Sequence, residues 1–520
     1  MALAPGRPRQ RRSLLPRGDA GPGGPTDRPA SRGALRRAAV VLAAALIGAG
    51  CATRPVNPPL AHADPGEGYR FETRPAAIRD RDTLILLAFS GGGTRAAAFS
   101  YGVLEALRDV AVTGRDGRAG TLLDDVSVIT GVSGGSFTAL AYGLYGDRLF
   151  EQYERRFLKR NVEGELLRRL FSPEYWGPLW STGWGRSELA ADYYDEILFD
   201  GATYAELQRG SGPLIIASAT DVSSGARFYF SQAMFDIMCS DLSSMRLARA
   251  AAASSAVPVV LSPVTIDNYG GSCGYRDPAW LPVIARVQKQ ERAAARIMQE
   301  VADLKAYQDG KARPYIHLVD GGVSDNLALR GALNVMDEYE AARFVGLPSP
   351  FDRVKRIAVI VVNSLSTPTT GWDRFVDAPG MFEILLQATG VPIDHYSFEA
   401  IDQLRDTAAR WAIYRAIRAS GAVVDPADPA LRAVERGPDT RIYVVDVSFD
   451  RLQDAAERDY LNQLPTSFVL GAEAVDRLRA AARTVLAGSD EFRQLLHDLG
   501  VGASGSATMQ TAARDPRAAE

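Results

Sequence analysis

Ser133 stands among glycines in Gly131-Val132-Ser133-Gly134-Gly135. The apolar, β-branched run Val126-Ser127-Val128-Ile129-Thr130 precedes it and an Ala/Leu-rich segment follows. The pattern is strand, sharp turn, helix. A turn that tight forces the serine into strained backbone angles and leaves no room for side chains at the flanking positions, which is the use of Gly131 and Gly135. The strain lifts the hydroxyl off the top of a sheet, where the start of the next helix favours developing negative charge. Ser133 therefore reads as a nucleophile that needs a base and an oxyanion hole from elsewhere in the chain.

Two further glycine turns close strand-like runs. Thr83-Leu84-Ile85-Leu86-Leu87-Ala88-Phe89-Ser90 leads into Gly91-Gly92-Gly93-Thr94-Arg95. The bare N–H groups of Gly91, Gly92 and Gly93, just ahead of a helix, suit an oxyanion hole. Arg95 can fix that loop or meet an anionic head group. Tyr315-Ile316-His317-Leu318-Val319-Asp320 leads into Gly321-Gly322. Asp320, at a strand end, can accept the serine proton; an aspartate before two glycines is also a common turn residue. The three turns line up at the C-terminal ends of strands, the edge where open parallel sheets assemble their sites.

The elements that must position these residues are those of an α/β chain. Thr83–Ser90 and Val126–Val132 are apolar without alternation, as strands buried on both faces are. Each is followed by a helical segment, and consecutive strand–turn–helix units imply a parallel sheet. Further strands are expected at 213–219, 226–231, 315–320, 356–362 and 441–447, a polar turn at 112–120, and helices over 283–307, 395–419 and 469–499. The expected organisation is a leader over 1–51, a Pro-rich linker over 52–80 and a catalytic core over 81–335. Insertions fall at 147–210 and 275–312, a C-terminal part of the same domain at 336–500, and a small, polar, disordered tail at 501–520. Trp176, Trp180 and Trp184 cluster in the first insertion and suit either a lid or membrane contact, or core packing.

Taken together, Ser90-Gly91-Gly92-Gly93-Thr94-Arg95, Gly131-Val132-Ser133-Gly134-Gly135 and Asp320-Gly321-Gly322 resemble the signature blocks of the patatin-like phospholipases. Ser254-Ser255-Ala256-Val257-Pro258 resembles that family's proline-bearing fourth block. The resemblance spans roughly 83–335. It implies a three-layer α/β/α fold with a mainly parallel sheet, Ser133 as nucleophile, and Asp320 as base of a Ser-Asp dyad. It further implies an oxyanion hole at Gly91, Gly92 and Gly93 with Arg95 beside it, and hydrolysis of lipid acyl esters without metal or organic cofactor. Leu327 follows Asn326 where the family often has proline.

Other functions fit less well. A triad needs a histidine, and the chain has only His62, His317, His395 and His497. His62 lies in the expected linker. His317 is three residues from Asp320 on one strand and so leaves the opposite face. The other two fall in expected helices. Gly91-x-Gly93-x-x-Ala96 also fits a dinucleotide fingerprint, but the second strand ends in Gly131-Val132-Ser133 where that fold needs an acidic residue. A non-catalytic lipid-binding or scaffold lipoprotein is the remaining alternative, against which the intact Ser133, Asp320 and glycines speak.

Composition bounds the setting. Hydrophobic residues make up 46% and charged residues 23% of 520, an ordinary globular balance. Residues 1–50 hold nine Arg and two Asp, leaving 50 basic and 60 acidic groups in the rest. An acidic body argues against a nucleic-acid partner. Arg36-Arg37, the apolar run Ala38–Ile47 and the small residues before Cys51 resemble a bacterial lipoprotein signal. Such a signal would export the chain to the cell envelope, in periplasm or outer membrane, and lipidation of Cys51 would tether it beside a lipid substrate. An ordinary secretory signal is the other reading. Cys239 and Cys273 then remain as an even pair, either one disulfide or two buried thiols.

Overall fold

Strands with no polar alternation need cover on both faces, and the helices of this chain provide it. The computed structural model describes residues 54–501 apart from 80, 114–118, 180, 182, 279–280, 282–294, 345, 368–371, 375 and 422–433. The leader, Cys51, Trp180 and the tail beyond 501 therefore lie outside the described residues. The strands are β1 (Thr83–Phe89), β2 (Ala111–Thr113), β3 (Ala119–Thr121), β4 (Val126–Val132), β5 (Leu214–Asp221), β6 (Arg227–Tyr229), β7 (Val264–Asp267), β8 (Tyr315–Asp320), β9 (Arg356–Asn363) and β10 (Arg441–Ser448). Eight of them form one sheet in the order β10-β9-β1-β4-β5-β8-β7, with β6 paired to β5. The stretch β10-β9-β1-β4-β5 is parallel throughout. β2 and β3 form a separate antiparallel hairpin around the expected turn.

The main helices are α1 (Gly93–Arg108), α2 (Gly134–Tyr145), α3 (Val162–Leu170), α4 (Pro173–Leu179), α5 (Leu247–Ser254), α6 (Ala295–Lys305), α7 (Arg330–Phe344), α8 (Met381–Ala419), α9 (Ala472–Gly488) and α10 (Asp490–Asp498). They make two outer layers. On β9, Ala358, Ile360 and Val362 join the core under α1, α2 and α9, with Phe99, Leu140 and Leu478. Ile357, Val359 and Val361 join the core under α7 and α8, with Leu333, Leu404 and Trp411. The result is a three-layer α/β/α architecture around a mostly parallel sheet. β9 and β10, beyond residue 335, are part of that sheet, and β9 is the direct neighbour of β1.

The sheet is mainly parallel, as expected, with one antiparallel side: β8 runs antiparallel to β5 and β7, so Asp320 does not reach the site along the same direction as Ser133. One expectation needs correction: residues 54–79 are not a loose linker. Arg70 pairs with Asp236 at 2.7 Å, Asn57 donates to Ser240 Oγ at 2.7 Å, and Arg74 donates to the Leu207 carbonyl at 3.0 Å. Tyr69, 1% exposed, accepts the Ile215 N–H at 2.7 Å. The prolines and scarce apolar residues suggested a spacer, but this segment is fastened by polar side chains with distant partners, which hydropathy does not register.

The first insertion is divided. Tyr153, Phe157, Tyr194 and Phe199 are buried, and Phe157, Tyr194 and Phe199 ring the Phe137 side chain of α2. Phe171, just after α3, and Trp176, in the middle of α4, are instead exposed, at 73% and 53%; Trp184 is half-buried. No helix among the described residues is long and apolar enough to cross a membrane.

Candidate active site

The site is set by where strands stop. β1 and β4 are parallel neighbours with Phe89 opposite Gly131, so the turn after β1 lies beside the turn after β4. β4 pairs with β5 as far as Ser218. β8 takes over at the next residue, with Asp320 opposite Ala219, and runs the other way. The two strands thus come to an end at adjacent positions of β5. A Cβ on Gly321 would collide with the Ser218 carbonyl and sit 3.2 Å from the Val132 side chain, which shows how closely the ends meet.

At that meeting point Ser133 adopts φ 49°, a left-handed conformation that a side chain rarely takes. Neighbours hold it there. Its carbonyl accepts the Ser136 hydroxyl at 2.6 Å, and its N–H donates to Ser254 Oγ at 2.9 Å. Ser133 and Asp320 are 5% and 7% exposed. The Asp320 carboxylate accepts the Gly322 N–H at 2.8 Å and has the Ser133 hydroxyl near it. Burial dominates its protonation and pushes the carboxyl up to about 6, while these two donors pull the other way.

The loop after β1 supplies donors, but not all three that the sequence suggested. The Gly91 N–H is taken by the Asn326 carbonyl at 2.9 Å. Gly92 and Gly93 adopt φ 137° and 59°, and among the described residues their N–H groups meet no acceptor. They are the free donors beside Ser133. The loop is buttressed from the C-terminal part of the chain: Thr94 N–H donates to the Ser467 carbonyl at 2.9 Å, and a Cβ on Gly93 would collide with that same carbonyl. Arg95 is buried behind the loop. Its guanidinium donates to the carbonyls of Ser364 at 2.8 Å and Leu464 at 2.7 Å and to Thr466 Oγ1 at 3.1 Å. Of its two sequence-based roles it fills that of loop clamp.

The remaining residues are distributed as follows. Gly131 and Gly135 face each other across the elbow, a Cβ on the first lying 2.8 Å from the carbonyl oxygen of the second. Leu327, which follows Asn326, is buried in the core. Its turn is held by the Asp325 carboxylate, which accepts the N–H groups of Leu329 at 3.2 Å and Arg330 at 2.9 Å. All four histidines are exposed, and among the described residues none bonds Ser133 or Asp320. His317 Nδ1 faces Thr265 Oγ1 at 3.0 Å and His497 Nδ1 faces Asp498 at 3.0 Å. Cys239 and Cys273 form a disulfide, Cα atoms 5.3 Å apart. No group of three or more His, Cys, Asp or Glu among the described residues is placed to hold a metal. Sequence reading passed over Asn326, Ser364, Leu464, Thr466 and Ser467, which carry no motif, and gave Ser254 no role although it lies in the fourth block.

The site thus brings together a strained, buried serine, a buried carboxylate and two backbone N–H groups that meet no acceptor among the described residues. A family model for patatin-like phospholipase matches residues 87–333. Among solved structures, human GIVD cytosolic phospholipase A2 is similar at 15% identity, covering 86% of this chain and 66% of that chain, with a TM-score of 0.37. Its complex with methyl gamma-linolenyl fluorophosphonate matches at 16% identity, 82% and 60% coverage and a TM-score of 0.34. VipD from Legionella pneumophila matches at 11% identity, 80% and 66% coverage and a TM-score of 0.24. The chain spans just under two thirds of the human chain's length. No curated protein matches.

Proposed function

We propose, from the match of residues 87–333 to the family model for patatin-like phospholipase, that Ser133 and Asp320 act as a dyad hydrolysing fatty-acyl esters of lipids. The observation that carries this reading is the meeting of the strained, buried Ser133 with the buried Asp320 at the ends of β4 and β8, the Asp320 carboxyl being raised by burial to about 6 and every histidine lying exposed elsewhere. Such a carboxyl is ionised at pH 7 yet more basic than an exposed aspartate, as a general base should be. Asp320 takes the Ser133 proton as Oγ attacks the ester carbonyl. The N–H groups of Gly92 and Gly93 receive the oxyanion. Collapse releases the alcohol, which takes the proton from Asp320. Water, deprotonated by Asp320, then attacks the acyl-enzyme; collapse frees the fatty acid, and the departing Ser133 Oγ takes the proton back from Asp320.

The protein is read as an exported lipoprotein, tethered through Cys51 to the membrane that holds its substrate. The Cys239–Cys273 disulfide supports an oxidising compartment. The exposed Phe171 and Trp176 support contact with a lipid surface, to which Trp180 and Trp184 are the neighbouring candidates. A mixed lipid extract incubated with the enzyme tests the reaction: fatty acids should appear with wild type and not with Ser133→Ala, and the depleted lipid identifies the substrate class. Equal release by both proteins would end the proposal. The tether is checked by cell fractionation, Cys51→Ser being expected to move the protein out of the membrane fraction.

A further inference from the structure

Ser133 and Asp320 lie on separate strands, 187 positions apart in sequence, and something must fix one against the other. One residue bonds the chain at Ser133 and at Gly321, next to Asp320. Ser254, the last residue of α5, is fully buried. Its Oγ accepts the Ser133 N–H at 2.9 Å and donates its one proton to the Ser218 carbonyl at 2.6 Å. Its own carbonyl accepts the Gly321 N–H at 3.1 Å, and two residues on the Ala256 carbonyl accepts the Asp320 N–H at 2.9 Å. The end of α5 therefore holds the end of β4, the middle of β5 and the end of β8 together.

The hydroxyl has no substitute in the surrounding structure. The Ser133 N–H follows the last paired residue of β4 and precedes the first of α2, so neither ladder nor helix gives it an acceptor. Without Ser254 Oγ it would be a buried donor with no partner, and the Ser218 carbonyl would lose its donor too. The elbow's positive φ would then have less to hold it. The bracket itself is anchored: Arg249, also on α5, makes a buried ion pair with Glu188 at 2.8 Å and donates to the Thr265 carbonyl at 2.8 Å. Its neighbour Ser255 offers a control. The Ser255 hydroxyl donates to the Ala251 carbonyl of the same helix at 2.8 Å and reaches neither strand end.

We propose that Ser254 is a positioning residue of the hydrolase: its hydroxyl holds Ser133 in the strained elbow and its backbone sets Asp320 against it. This rests on the dyad reading above. The experiment compares wild type, Ser254→Ala, Ser254→Cys and Ser255→Ala for kcat, KM, the pH profile of kcat/KM, Tm and the rate of fluorophosphonate labelling. A nucleophile displaced by a fraction of an ångström to an ångström reacts about 100-fold more slowly. Ser254→Ala should therefore lose kcat and labelling rate by about that factor with KM little changed. Its acid limb should move upward, because Asp320 loses the nearby Ser133 hydroxyl that favours its charged form. Ser254→Cys, which fills the space but accepts hydrogen bonds weakly, should fall between, and it carries the comparison if the alanine variant does not fold. Ser255→Ala should keep kcat and the wild-type acid limb. The proposal is overturned if Ser254→Ala, or Ser254→Cys in its place, keeps wild-type kcat and acid limb, or if the Ser254 and Ser255 variants lose activity only in proportion to Tm. Wild-type protein that takes no label at Ser133 would instead refute the hydrolase reading itself.

Discussion

The Asp320 carboxyl is buried, and burial lifts it to about 6 against the pull of the Gly322 N–H and the Ser133 hydroxyl. Two consequences follow at this residue. As the base it must be ionised, so kcat/KM should rise with pH through about 6 and level off above; a profile flat from pH 5 to 8 would exclude Asp320 as the titrating base. The same shift weakens the fold. Between an ordinary carboxyl value and about 6 the unfolded chain releases its proton while the folded protein keeps it, so stability falls as pH rises across that window and stays lower above it. Asp320→Asn removes that cost while its side-chain oxygen can still accept the Gly322 N–H. At pH 8 the variant should be more stable than wild type by roughly 2–3 kcal/mol, the gain vanishing near pH 4, and turnover should drop by about 100-fold or more. Thermal unfolding at both pH values with parallel rate measurements checks the pair. The residues of this site were legible in sequence where they sat in short patterns: Ser133 and Asp320 each follow a strand and adjoin glycines. Ser254 lies in the fourth block, but its Oγ, like the Asn326 carbonyl, acts across more than a hundred residues of chain, and no local pattern marks those partnerships.

At the scale of elements, hydropathy gave the strands but not their directions. Val126–Val132 and Arg356–Val362 are apolar on both faces and were readable as core strands. Tyr315–Asp320 was readable as a strand too, yet nothing in its composition says that it runs against β5, and that direction is what brings Asp320 to the end of β4. The helices beyond residue 335 were legible as helices and not as part of the site. α9 packs across α1 so closely that a Cβ on Gly102 would lie 2.6 Å from the Arg479 carbonyl oxygen. This glycine serves helix–helix approach, and its usual penalty in a helix interior is accepted for it. Gly102→Val should push the helices apart and destabilise the protein by about 1–3 kcal/mol, measured by urea unfolding. A variant as stable as wild type would mean that α9 does not press on the oxyanion helix as described.

For the whole molecule, the segment over 54–79, the disulfide and the sheet's last two strands bind distant parts of the chain into one body around the site. Cys239 and Cys273 close a loop with a sequence separation of 34. Holding a loop of that length shut in the unfolded chain is worth about 3–4 kcal/mol by chain entropy, so reductant should lower Tm markedly, and Cys239→Ala with Cys273→Ala should lower it without reductant. No change on reduction would show that the bond contributes nothing to stability. The central claim is that Ser133 is the nucleophile of a lipid hydrolase, and its most direct test is covalent. The intact protein is treated with a long-chain fluorophosphonate and weighed, then digested to locate the adduct. A single adduct on the peptide bearing Ser133, absent from Ser133→Ala, is the result expected; no adduct on wild type, or one that survives Ser133→Ala, would contradict it.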